Sequence, residues 1–307
     1  MTVQRNVSAF GRVRRGLVTG LAIGAGAASM AGVASCGDGL GGILISDAKE
    51  VEMGKGVDDQ IRLEYRLAAV NDPATKWLTE FVTPLATASA QFRDPADIGG
   101  FKVAVIVDDE LVNAFAAPGG YTYVSTGLIL NAATCAEIAG VMGHELAHVT
   151  ERHGVKSIEG AYGVQIISQW FLGDGSLASD AAQTIYAFLA NTQFSQDHEA
   201  EADAVGLRIA HDAGYNPYGL VDFFTKLLAL EGGASVPEFL SSHPATQSRI
   251  SDVTKAIETR YGDQVNPGST QSYNCLGTTM SLEQLKAHVQ SGQIAIEPGT
   301  GPQPANP

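Results

Sequence analysis

The reading of this sequence turns on His144-Glu145-Leu146-Ala147-His148, with Thr134-Cys135-Ala136-Glu137 ahead of it. On a helix, residues four apart lie on one face, so both imidazoles can reach one metal ion. Glu145 sits beside them, where a carboxylate can take a proton from a water whose pKa an ion such as Zn²⁺ lowers to about 7. The chain has 7 His and 16 Glu. A random order of those residues gives the motif roughly 0.008 times per chain, so chance is a poor explanation. Thr134 and Glu137 stand at the N-cap and N3 positions of a capping box, which independently predicts a helix running through the motif to about His153.

Upstream the period is that of strands. Phe101–Val107, Asn113–Ala117 and Tyr121–Thr126 are short, branched or aromatic runs, with the turn Pro118-Gly119-Gly120 between the last two. Before them, 47–70 reads as helix, and Asp72-Pro73 opens another as N-cap and first position. Downstream, helical stretches are expected at 161–172, 181–193, 195–213, 218–231 and 245–261. The fold class is therefore α+β, mainly helical with a small β-sheet.

A hydrolytic metal site needs a third protein ligand and an open position. His153 lies nine residues after His144, half a turn off the ligand face of a continuous helix, and reads as structural or as a support for a ligand. The stretch Ser195-Gln196-Asp197-His198-Glu199-Ala200-Glu201-Ala202-Asp203 is the better source. Glu199 and Asp203 share a helix face, while Glu201 points elsewhere. One carboxylate can bind the ion as the other holds a ligating imidazole in one tautomer.

These motifs together resemble the zinc metallopeptidase family of the CAAX prenyl endopeptidases and the HtpX heat-shock proteases. The matching stretches are Asn113-Ala114-Phe115, Pro118-Gly119-Gly120, Gly127-Leu128, His144–His148, Ser195–Asp203, Ser242-His243-Pro244 and Arg249-Ile250, about half the chain. The resemblance implies a gluzincin site: His144, His148 and Glu199 on one Zn²⁺, Glu145 as general base, and Asp203 supporting a ligand. His243 would stabilise the oxyanion, and in some members of the family it can occupy the open zinc position. The family usually has Arg where this chain has Gln196. The apolar stretches at 161–172 and 181–190 are too short to span a bilayer and are broken by Asp174 and Asp180, so the similarity is to the soluble periplasmic BepA-like branch. A substrate chain would lie in the cleft and pair with an edge strand at 121–126, through Tyr121 and Tyr123.

The termini suggest export. Residues 1–36 hold Arg5, Arg12, Arg14 and Arg15 and no acid, and Gly16–Ser35 is uncharged. A membrane anchor of that length is one reading. Val33-Ala34-Ser35-Cys36 resembles a lipoprotein cleavage box, after which Cys36 would carry acyl chains; the other reading is a stray Cys beside an ordinary cleavage site. The expected organisation is a signal at 1–36, a tether at 37–46, the metallopeptidase domain at 47–266, and a Gly/Pro/Ser-rich tail at 267–307, loose apart from a short helix at 281–290. Cys135 and Cys275 are either bridged or unrelated. The net charge of −14 hides a more acidic body: without residues 1–36 there are 15 basic and 33 acidic residues, a net of −18. Such a body is repelled by phosphate backbones, so nucleic acid is excluded as a partner. The expected function is a zinc endopeptidase, exported to the periplasm and lipid-anchored to the outer membrane, acting on unfolded or misassembled envelope proteins. The alternative is a zinc-stabilised, chaperone-like binding module that does not cut.

Overall fold

The computed structural model describes residues 45–171, 177–230, 238–244, 246–268 and 275–302. The expected signal, Cys36 and residues 37–44 of the tether lie outside the described residues.

The metal-motif helix forms as its cap predicts. Thr134 Oγ1 accepts from the Glu137 N–H at 3.2 Å, and the helix α4 spans Cys135–Thr150. Glu137 reaches back one residue further than a capping box requires, accepting from the Ala133 N–H and pairing with Lys226. All of α4 is buried. Two glycines set how closely its neighbour approaches: a Cβ on Gly143 would stand 2.6 Å from the Gly206 carbonyl oxygen, and one on Gly206 would stand 2.7 Å from the His144 nitrogen. Arg152, at φ 57°, is the one described non-glycine residue in the left-handed region, and it ends the helix short of the expected His153.

Around α4 the chain is mostly helical. The segments α1 (Asp47–Glu64), α2 (Pro73–Ser89) and α3 (Thr126–Asn131) come before it, with three strands between α2 and α3. After it come α5 (His153–Trp170), α6 (Ser179–Asn191), α7 (Gln196–Asp212), α8 (Tyr218–Leu230), α9 (Glu238–Ser242), α10 (Gln247–Tyr261) and α11 (Leu282–Gln290). The helices α7 and α8 flank α4. The main core gathers Trp77, Phe81, Leu146, Phe223, Phe224 and Phe239 around them. A second core under α1, α5 and α6 holds Met53, Ile61, Tyr123, Ile158 and Ile185. No described helix is long and apolar enough to cross a membrane.

The strands are β1 (Lys102–Ile106), β2 (Ala114–Ala117) and β3 (Tyr121–Ser125), in the order β1-β3-β2. β1 runs parallel to β3, with Val103 opposite Thr122. β2 runs antiparallel to β3, with Phe115 opposite Tyr123. This corrects the expectation at 121–126: the strand carrying Tyr121 and Tyr123 is the middle one, hydrogen-bonded on both sides, and cannot take up a further chain. The tight turn at 118–120 folds β2 back along one side of it, and the longer connection after β1 brings β1 along the other. The edge next to α4 is β2. Tyr123 is buried, and its hydroxyl donates to Asp58 at 2.6 Å.

The C-terminal segment also departs from expectation, since 275–302 is part of the body and not a loose tail. Leu282, Leu285 and Val289 of α11 enter the main core. Trp77 Nε1 donates to the Met280 carbonyl at 2.9 Å. Arg62 pairs with Glu297 at 2.7 Å, and the Gly301 N–H reaches the Arg62 carbonyl at 2.9 Å. Three apolar residues at helical spacing outweigh the surrounding Gly, Pro and Ser. A disulfide joins Cys135, the first residue of α4, to Cys275, with 5.2 Å between the Cα atoms. The other end of the body begins early as well, because Ile45 is fully buried.

Candidate metal centre

α4 and α7 cross at Gly143 and Gly206, which brings the two sequence motifs face to face. His144 and His148 from α4, Glu199 from α7 and His243 just after α9 converge, with all four ligand atoms within 4.8 Å of one another. His144 Nε2 lies 3.0 Å from His148 Nε2 and 3.2 Å from His243 Nδ1. Glu199 Oε1 is 2.8 Å from His243 Nδ1 and 3.5 Å from His148 Nε2, and Glu199 Oε2 is 3.5 Å from His144 Nε2. All four residues are buried. Ligands held about 2.1 Å from a tetrahedral zinc sit roughly 3.4 Å apart, so these separations fit one small ion at the centre. Two imidazole nitrogens facing each other at 3.0 Å can share only one proton, and a cation between them satisfies both lone pairs.

Asp203 stands where the helix spacing puts it, one turn after Glu199, with its Oδ1 2.9 Å from His144 Nδ1. Glu145 is 1% exposed. It takes a hydrogen bond from the Ala116 N–H on the edge strand β2. Its Oε1 has no hydrogen-bond partner and lies 3.5 Å from His243 Nε2. That oxygen is a free acceptor beside the convergent nitrogens.

The electrostatics separate these groups. Burial, the largest influence, pushes the Glu145 carboxyl above its ordinary value, against the pull of His243 and His144. Burial would also raise Glu199 and Asp203, but their partners outweigh it. His243, His144 and His148 hold Glu199 below its ordinary value, and His144 and Arg249 do the same for Asp203. Burial alone would lower His144, yet Asp203 and Glu199 carry it up to about 9 in the metal-free protein. His148 is held well below the usual value, first by burial.

Arg249 and Phe194 near the centre have no role in the sequence pattern, and His153, read there as structural or as a support for a ligand, takes the second role. Arg249 of α10 binds Asp203 through Nε and Nη2, both at 2.7 Å, and Glu199 through Nη1 at 2.7 Å. It supplies the cation next to the α7 carboxylates of a chain that has Gln196 where the family usually has Arg. The motif Arg249-Ile250 was visible, but nothing in the spacing tied it to Glu199. His153 lies 2.9 Å from His148 through their Nδ1 atoms, and Glu201 lies 3.0 Å from His153 Nε2. The left-handed Arg152 swings His153 toward the ligand side, which a continuous helix would not do. Phe194 stacks on the His148 ring at 4.1 Å.

A mainly helical fold with a three-stranded mixed sheet, and an H-E-x-x-H helix crossed by a glutamate helix, is the arrangement of a metallopeptidase-type site. The model for peptidase family M48 matches residues 73–257, more than half of the chain, and the chain belongs to that family. The beta-barrel assembly-enhancing protease of Escherichia coli is 30% identical over 224 residues, 69% of this chain and 44% of its own length. The metalloprotease LoiP of Escherichia coli is 30% identical over 203 residues, 65% of this chain and 78% of its own. The mitochondrial metalloendopeptidase OMA1 of Arabidopsis thaliana is 33% identical over 148 residues, 47% of this chain and 29% of its own. The chain thus spans less than half the length of the first of these relatives.

Proposed function

We propose that the chain is a zinc-dependent endopeptidase of the bacterial cell envelope, with unfolded or misassembled envelope proteins as its substrates. The observation that carries the chemistry is the buried convergence of His144, His148 and Glu199 beside the unpartnered Glu145 Oε1. When bound there, zinc acts as a Lewis acid on the scissile carbonyl and acidifies a water molecule. Glu145 takes the proton of the attacking water and passes it to the leaving amine. Its raised basicity in the buried site suits both steps. Ala116 orients the Glu145 carboxylate from the edge strand. A substrate backbone adds to the free side of β2, Ala114–Ala117, which the strand order leaves open. His243 Nε2, near Glu145, donates to the oxyanion of the intermediate.

One observation favours a resting form of the same enzyme. His243 Nδ1 lies inside the ligand cluster, 2.8 Å from Glu199, so it would take the fourth position on an ion held there, and a substrate carbonyl would enter only after His243 withdrew. The non-cutting, chaperone-like reading has less support, since a binder has no use for Glu145. Export and anchoring through Cys36 to the outer membrane belong to the proposal and rest on the sequence alone. The name of the first relative, an assembly-enhancing protease, supports the envelope role.

The test is residues 37–307 expressed with and without Glu145→Gln, assayed for zinc content and for cleavage of an unfolded reporter protein. Zinc at one per chain in both, with cleavage lost in the variant, is the expected result. Full cleavage by Glu145→Gln in protease-free material refutes the mechanism.

A further inference from the structure

His148 is held from two sides. Phe194 covers its ring face at 4.1 Å, and His153 meets its outer edge, Nδ1 to Nδ1, at 2.9 Å. His153 in turn presents Nε2 to Glu201 Oε2 at 3.0 Å. The rings of His153 and His198 stack at 4.4 Å with 16° between their planes, which fixes the His153 plane. His153 is fully buried, whereas the Glu201 side chain is 45% exposed.

These contacts admit one arrangement of protons. His148 Nε2 faces the cluster and needs a lone pair there to bind an ion, so its proton sits on Nδ1. His153 Nδ1 must then accept that N–H, and the His153 proton sits on Nε2. Glu201 is a carboxylate and can only accept. The opposite tautomer of His153 would set two lone-pair atoms 3.0 Å apart at Glu201 and two N–H groups against each other at His148. The rim carboxylate therefore selects the His153 tautomer, and His153 selects that of His148.

We propose that His153 and Glu201 are positioning residues: they hold His148 in its metal-binding tautomer and ring orientation through a hydrogen-bond chain running from the cluster to the surface. This rests on the reading of His148 as a metal ligand. Glu201 sits on α7 about 200° around the helix from Glu199, so the helix that supplies the carboxylate ligand also orients an imidazole ligand from another part of its surface. Outer partners of this kind raise ligand basicity, and their loss typically weakens metal binding about 10–100-fold.

The test uses the full-length protein in four forms: wild type, His153→Phe, Glu201→Leu and Glu201→Gln. His153→Phe keeps a ring to stack on His198, and Glu201→Gln keeps an acceptor oxygen. Zinc affinity is read by competition with a chromophoric chelator, and the melting temperature is read on the metal-free proteins. His153→Phe and Glu201→Leu should weaken zinc binding about 10–100-fold with unchanged metal-free melting, while Glu201→Gln should recover most of the affinity. Zinc binding within twofold of wild type in both His153→Phe and Glu201→Leu overturns the proposal. So does an affinity loss that follows an equal destabilisation of the metal-free protein, or an equal loss for Gln and Leu at 201. A His148→Ala control separates the two readings. If it binds zinc like wild type, the ligand assignment is wrong and the relay falls with it; if it loses zinc, the pattern at 153 and 201 judges the relay alone.

Discussion

Replacing Gly206 by Ala tests how the fold makes the site. The added Cβ would lie 2.7 Å from the His144 nitrogen and 2.8 Å from its Cα. Both are backbone atoms of a fully buried helix, so neither can swing aside. Ordinary contact begins at 3.4 Å, so α7 must move away from α4 by about 0.7 Å at this point. Glu199 lies two turns earlier on the same helix and moves with it. Metal–ligand distances tolerate only about ±0.2 Å, so the shift pulls the carboxylate out of reach of an ion held by His144 and His148. Overpacking of this kind costs about 1–3 kcal/mol. The candidate metal site should suffer more than the fold: zinc affinity should fall at least about tenfold, by analogy with the losses that follow misplacements of about 1 Å in reactive sites, while the metal-free protein still unfolds cooperatively at a lower temperature. Chelator competition and thermal melting of the same sample provide both readings. A Gly206→Ala protein that binds zinc within twofold of wild type and melts at the same temperature would refute the claim that the glycine crossing sets the ligand distance.

Other consequences can be checked separately. Because His144 is raised to about 9 in the metal-free protein while His148 is held well below its usual value, zinc binding at pH 7 should expel about one proton. Titration calorimetry in buffers of different ionisation enthalpy reads that number, and zinc affinity should rise with pH and level off only above about 9, as the competing proton is lost. Arg249→Met leaves Glu199 and Asp203 buried without their cation. The metal-free protein should lose about 3–5 kcal/mol, seen in chemical denaturation, with zinc recovering part of the loss. The Asp203 carboxyl is held below its ordinary value, so its share of the stability is complete above about pH 4 and should fade as the pH drops further; acid titration of the wild type should show a step that Arg249→Met reduces. The Cys135–Cys275 bridge closes a loop with a sequence separation of 140. Cys275→Ser should cost about 2–5 kcal/mol and expose the 275–302 segment to proteolysis ahead of the rest.

The readable features were those that depend on local periodicity. His144, Glu145 and His148 follow from one helix with a cap at Thr134, and Glu199 and Asp203 follow from one helical face. The three strands were also readable as strands. Their order was not, because Tyr121–Ser125 alternates in the same way whether it lies in the middle of a sheet or at its edge. His153 supports a ligand, one of its two sequence readings, but not from the direction a continuous helix gives it, because a single left-handed residue, Arg152, breaks that helix. The packing of 275–302 was hidden because Leu282, Leu285 and Val289 mark only one short helix, and the glycines and prolines that follow it carry no periodic pattern. The role of Arg249 depends on a contact across 46 residues, which no spacing rule reports.

Arg249 also bears on how His243 can move. Its Nη1 donates to the Pro244 carbonyl at 3.0 Å and also meets Glu199 at 2.7 Å, while Nε and Nη2 hold Asp203. The residue that follows His243 is therefore pinned to the same cation that fixes the ligand helix. A single guanidinium thus fixes the backbone beside His243 and the two α7 carboxylates together. In a chain with Gln196 where the family usually has Arg, no cation at 196 shares this task. Arg249 therefore ties the ligand helix and the segment after His243 to one charge. Arg249→Met should loosen both at once: zinc affinity should fall, and the backbone around His243 should exchange its amide hydrogens faster than in the wild type.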